Sequence, residues 1–238
     1  MNLSSIQTGL KPTARPSWLN ADAYLFDIDG TLLNTRDFVH WNALNHAMLE
    51  AYGVETTIEG IAFHGKTDLG ILRAALAREG ISDGKFEANL SAALAVICRE
   101  VATNAENIVA EICPAIPDVL SRLQSSGKLL GVASGNLESV GWQKVKAAGL
   151  ESFFSFGHFC DHCEMRAEIF RNAVNEVRRR LGENASVCFV GDTPEDIRAA
   201  RAAGGQVIAV CTGIYPQQEL SPLEPDFCIA SCADLLLP

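Results

Sequence analysis

Short, nearly unbroken apolar runs alternate with amphipathic stretches along most of the chain. Residues 23–28 (AYLFDI), 128–135 (KLLGVASG), 153–157 (FFSFG), 186–192 (SVCFVGD) and 206–213 (QVIAVCTG) have the length and apolar density of strands covered on both faces. Between them, NLESVGWQKVKAAGL, RAEIFRNAVNEVRRRLG and PEDIRAARAAGG carry helical periodicity, and the last two end on a glycine suited to a helix C-terminus. Strand and helix in alternation predict an α/β fold, a Rossmann-like, doubly wound parallel sheet.

Residues 36–111 break the alternation. RDFVHWNALNHAMLEAYG, TDLGILRAALAREG and the long stretch from Asp83 are helical in period and rich in Ala and Leu, with little strand signal. They predict an inserted α-helical unit, with the core in 22–35 and 112–238. The two prolines of CPAIPDV (113–119) read as a hinge or linker back to it. Residues 1–21, polar and proline-containing, read as a loose extension.

Composition narrows the class. With 238 residues, 48% hydrophobic and 20% charged, the chain is an ordinary globular sequence. A formal net charge of −10 argues against nucleic acid or an anionic membrane as partner. No apolar run approaches a membrane span. Eight cysteines, most inside apolar segments, suit buried reduced thiols and a cytoplasmic setting better than a disulfide framework. The sequence leaves the oligomeric state open.

Three predicted strands end in polar residues, where open α/β sheets bind ligands. Asp27 and Asp29 in LFDIDGTLLNT are two apart, so in extended chain both carboxylates project to one side. Such a pair is costly without a compensating cation, although a strand-terminal Asp and an Asp-Gly turn are common without any chemistry. Asp192 ends another strand, and Asp196 follows inside the first helical turn, where Thr193, Pro194 and Asp196 also suit a simple capping box. Acidic residues at two strand ends suggest a hard divalent cation, Mg²⁺. GVASGN offers Ser134 and free backbone N–H groups to an anion, or an ordinary helix cap.

Together these stretches resemble the haloacid dehalogenase superfamily, over nearly the whole chain. Asp27 to Thr31 matches its Asp-x-Asp-Gly-Thr motif, Ser134 its second motif, and Gly191, Asp192 and Asp196 its Gly-Asp-x-x-x-Asp motif. The helical insertion resembles its C1 cap. The resemblance implies a Mg²⁺-dependent phosphatase of the phosphoglycolate-phosphatase-like branch, acting on a small phosphorylated metabolite of the phosphoglycolate or sugar-phosphate type. It implies Asp27 as nucleophile, forming an aspartyl-phosphate, and Asp29 as acid and base. Mg²⁺ would be held by Asp27, the Asp29 carbonyl and Asp192, supported by Asp196, and the phosphoryl group by Ser134 and Gly135. An Asp at position 29 sets the chain apart from dehalogenases, which lack it. A phosphosugar mutase and a non-catalytic phosphate-binding protein are the alternatives.

The family's usual Lys-Pro pattern is absent. Glu164 falls where its lysine belongs, so Arg166, at a helix start, is the cation expected to replace it; Lys144 and Lys146 read as a solvated helix face. The flanking His158, Cys160, His162 and Cys163 form at most half of a zinc site, with Cys228 and Cys232 the only later pair, or a redox pair without a thioredoxin-like context; a loop rimming the cleft is the simpler reading. In the insertion, His64, Lys66 and Thr67 are the expected substrate contacts, Thr67 doubling as a helix cap. Lys66 is also similar in setting to the Schiff-base cap lysine of phosphonoacetaldehyde hydrolases in the same superfamily, without any supporting pattern around it.

Overall fold

A computed structural model describes residues 17–237. The chain opens with β1 (Ala23–Phe26) and a short β2 (Leu33–Thr35), followed by three helices, α1 (Val39–Tyr52), α2 (Asp68–Arg78) and α3 (Asp83–Thr103). It returns through β3 (Ala110–Ile112), which pairs antiparallel with β2. Then come α4 (Ile116–Ser125), β4 (Leu129–Ala133), α5 (Glu138–Ala147), β5 (Gly157–His158) and α6 (Arg166–Leu181). The chain closes with β6 (Val187–Gly191), α7 (Pro194–Ala202), β7 (Gln206–Val210), α8 (Gln217–Leu220) and β8 (Phe227–Ile229). Six strands make one parallel sheet in the order β5-β4-β1-β6-β7-β8. This is the doubly wound α/β architecture expected, with the chain reversing direction across the sheet at β1.

Alternation along the strands builds two apolar layers. Leu25, Phe189, Val207 and Ala209 face Ile169, Phe170, Val174 and Ile197 of α6 and α7. Tyr24, Phe26, Val190 and Ile208 face Val119, Leu120 and Leu123 of α4 on the other side. The Phe170 and Phe189 rings stack at 4.2 Å, fixing the first turns of α6 against β6. In the insertion, Leu44, Ala47 and Met48 of α1 bury against the same apolar cluster as Ala93, Val96 and Ile97 of α3.

Several expectations change at the boundaries. CPAIPDV is not a linker: Pro117 lies in the first turn of α4, where its missing N–H leaves no hydrogen bond unmade. The strand expected at 153–157 is displaced to Gly157–His158, and Glu151–Phe153 form a 3₁₀ turn. Most of the extension expected at 1–21 lies outside the described residues, but its last part packs. Trp18 lies edge-on to Tyr24 with Arg122 over its ring, its carbonyl accepts from the Tyr24 hydroxyl, and Ala21 is buried. Among the described residues no helix is long and apolar enough to cross a membrane.

Candidate active site

The C-terminal ends of β1, β4 and β6 meet the inserted helices around a cavity of about 560 Å³. The Asp27 N–H donates to the Val190 carbonyl at 2.9 Å, so the first motif is registered on β6. The chain then turns at Gly30, whose φ of +82° and contact with the Asp192 carboxylate leave no room for a Cβ. Thr31 Oγ1 donates to Asp192 Oδ1 at 3.2 Å, tying the two motifs together. Asp196 closes the capping box of α7: its N–H donates to Thr193 Oγ1 and its Oδ2 accepts from the Thr193 N–H at 3.0 Å. The capping role and a place in the acidic cluster therefore coexist in Asp196.

Asp27, Asp192 and Asp196 are buried, and each presents a carboxylate oxygen within 4.8 Å of the others. Arg166 sits among them, with Nη1 on Asp196 Oδ1 and Nη2 at 3.4 Å from Asp27 Oδ1. Burial pushes the Asp27 carboxyl up to about 7; Arg166 pulls against that, while Asp196 and Asp29 add to it. Asp192 is raised well above the usual carboxylate range by burial and by its neighbours Asp196 and Asp27. Burial alone would weaken protonation of Arg166, but Asp196 and Asp27 more than offset it and keep the guanidinium charged.

Asp29 lies apart from that cluster. Its Oδ2 accepts from Lys144 Nζ at 2.7 Å and from Asn136 Nδ2 at 3.0 Å. Burial would raise its carboxyl, yet Lys144 and Asn136 leave it below its ordinary value. Lys144 is thus not on a solvated face: it is 4% exposed. The signal was in the sequence, because Lys144 follows Val140 by four residues and shares its helical stripe. Arg166 and Lys144 are the two cations that bond within this set of four acidic residues. Three buried carboxyl groups with converging oxygens, two of them pushed up by burial and by one another, fit a hard divalent cation with oxygen ligands.

The inserted helices close on this centre. The Asp68 N–H donates to the Gly135 carbonyl at 2.8 Å, and Asp68 Oδ2 accepts from the Leu137 N–H at 2.8 Å. Thr67 Oγ1 caps α2 by accepting from the Gly70 N–H and donates to the Glu164 carbonyl at 2.8 Å. Arg73 grips the Glu164 carboxylate at 2.8 Å. A glutamate at the family's lysine position is therefore a seam residue pointing to the insertion. Of the expected substrate contacts, His64 and Lys66 line the cavity, whereas Thr67 is buried in the seam. Ser134 is fully buried, its Oγ accepting from the Asn136 N–H at 3.4 Å, and the cavity lining at this strand end is Asn136 rather than Ser134 or Gly135. His40, Trp41, Phe63 and Asn136 also line it and were not singled out from sequence, since nothing in their local spacing marks them.

No cysteine joins the acidic cluster. All eight are free thiols, and among the described residues the three aspartates are the only cluster of His, Cys, Asp or Glu with converging ligand atoms. Cys160 is buried, and burial pushes its thiol far above the ordinary range, opposite to what a reactive or ligating cysteine needs.

Comparison with known proteins agrees with this geometry. The model of the family described as haloacid dehalogenase-like hydrolase matches residues 24–210. Phosphoglycolate phosphatase of Synechococcus elongatus is 30% identical over 127 residues, 53% of this chain and 58% of that protein. Pyrophosphatase PpaX of Anoxybacillus flavithermus is 26% identical over 92% of this chain and 96% of its own. The fold is similar to that of CbbY from Rhodobacter sphaeroides in complex with phosphate, with a TM-score of 0.67 and 19% identity, covering 90% of this chain and 96% of that one. A motif-bearing α/β core matched over residues 24–210 identifies the chain as a member of the haloacid dehalogenase-like hydrolases.

Proposed function

We propose that the protein is a Mg²⁺-dependent phosphatase that hydrolyses a small phosphate monoester through an aspartyl-phosphate. The observation that carries this reading is the convergence of Asp27, Asp192 and Asp196 around the Arg166 guanidinium at the floor of a cavity, with Asp29 on its wall. The phosphatase names of the relatives support it. Helices α1 to α3, within residues 36–111, are read as the cap that shuts water out during the reaction.

Asp27 attacks phosphorus; the bond to the ester oxygen breaks, and Asp29 delivers a proton to that oxygen. Water then attacks the phosphoryl group on Asp27 and gives its proton to Asp29, and inorganic phosphate leaves with Asp27 restored. Lys144 and Asn136 aim the Asp29 carboxylate and favour its ionised form, which is the base of the second step; for the first step Asp29 carries a proton taken up from the monoanionic ester and passes it to the leaving oxygen. Arg166 offsets the charge of phosphate and nucleophile. Asp27 and Asp192, supported by Asp196 and the Asp29 carbonyl, would hold Mg²⁺, which supplies the remaining charge compensation. Ser134 and Gly135, set behind Asn136, would support the end of β4 that presents Asn136 to the cavity. The test is phosphate release from a panel of phosphomonoesters with Mg²⁺, beside Asp27→Asn and beside EDTA. Turnover by wild type alone, abolished by chelation, is expected; equal release from the variant overturns the reading.

A further inference from the structure

The cap side of the cavity is built for an apolar group. Phe38, Trp41, Leu44, Ile58, Phe63 and Ile71 contribute to its lining, from the start of α1 through the following loop to α2. Trp41 and Phe63 meet edge to face at 5.7 Å, which holds both rings in place. At the mouth, Phe38 is 69% exposed and Ile214 58% exposed, large apolar side chains that burial in the core does not explain.

Apart from Lys66, the basic groups of this wall are paired or uncharged. His40 Nε2 is 3.2 Å from Asp68 Oδ2, Arg36 pairs with Glu111 at 2.6 Å, and burial lowers the His64 pKa, favouring the neutral ring. Lys66 also lines the cavity, from a turn whose backbone stands at the aspartate end: its carbonyl lies against Gly135 and its neighbour Gly65 against Thr193 and Glu195. Asp37 adds a negative charge to the lining, fixed by the N–H groups of Val39 and Val109. A second anionic group on the substrate would meet apolar rings and a carboxylate there. With the seam bonds of Thr67, Asp68 and Arg73 made, the cleft between insertion and sheet has a volume of about 560 Å³. That is room for a sizeable organic group beyond the phosphate.

We infer that the substrate is the phosphate monoester of an alcohol carrying an aromatic or branched aliphatic body, rather than a small ester with a second anionic group such as phosphoglycolate or pyrophosphate. This rests on the phosphatase reading above and specifies its leaving group. The experiment compares kcat/KM for 2-phenylethyl phosphate, methyl phosphate, phosphoglycolate and pyrophosphate. The aryl-alkyl ester should be favoured by roughly 10-fold or more over the other three, the range that burying an apolar group in a preformed pocket supplies. Trp41→Ala should shrink the ratio between 2-phenylethyl and methyl phosphate, chiefly through KM. Phe38→Ala, at an exposed position that cannot compromise folding, should shrink it in the same direction. Equal or better turnover of phosphoglycolate or pyrophosphate overturns the inference while the phosphatase reading stands. Calorimetric binding of the four compounds to Asp27→Asn with Mg²⁺ makes the same comparison without turnover. Preferred binding of 2-phenylethyl phosphate with no phosphate release from wild type keeps the apolar site and removes the phosphatase reading.

Discussion

Arg166 and Lys144 divide the positive charge of the site between two carboxylate groups. Arg166, with a side chain 9% exposed, bonds Asp196 and lies beside Asp27. Its removal leaves buried acids uncompensated, a loss of about 3–5 kcal/mol for a buried pair broken on one side. Arg166→Ala is therefore expected to lose both turnover and melting temperature, read by phosphate release and thermal unfolding; an unchanged melting temperature would mean that the ion pair does not hold in solution. Asp27 gives a pH signature. Its carboxyl lies near 3.8 when unfolded and about 7 when folded, so between those values the native chain binds the extra proton. Stability contributed by this group therefore falls as pH rises through that window. His64 and His158, both lowered by burial, act in the opposite sense, so the comparison must cancel them. In metal-free buffer, the melting temperature of wild type minus that of Asp27→Asn should decrease from about pH 5 to about pH 8. A flat difference would place the proton elsewhere.

At the scale of the element, helix ends carry the site. Helix α6 presents Arg166 at its first position because Phe170, one turn on, is clamped on Phe189. Helix α7 presents Asp196 through the reciprocal bonds with Thr193. Thr193→Ala removes the hydroxyl of that box and is expected to cost about 1 kcal/mol by chemical denaturation, as N-cap losses do; a loss near zero would show that Arg166 alone holds Asp196. These helices were legible in the sequence because their apolar stripes, Pro194 and Gly182 mark them. Among the short strands, β2 and β3 have three residues each, too few for alternation to register, and β5, with two, lies at the end of the run expected at 153–157. Lys144 shows the opposite failure, a charged residue on a buried stripe whose partner, Asp29, lies 115 residues away.

Across the whole molecule, the seam between inserted helices and sheet holds the cavity walls together. Gly65, with φ +79°, lies so close to α7 that an added Cβ would stand 2.7 Å from Glu195 Oε2 and 3.0 Å from Thr193 Oγ1. Gly65→Ala should therefore prop the seam open, raising KM and lowering kcat. The chain should still unfold cooperatively, because the apolar layers on the sheet are untouched; wild-type kinetics in that variant would mean that closure does not require this contact. The sequence by itself determined the alternation that makes a doubly wound sheet, the helical insertion, and the acidic strand ends, because periodicity and motif spacing are local properties. Only the tertiary structure decided that Lys144 faces Asp29, that Glu164 joins the seam through Arg73, and that aromatic rings from the insertion line the cavity. Those outcomes are contacts between segments far apart in the chain, and they exist only once packing has fixed which face of each helix turns inward.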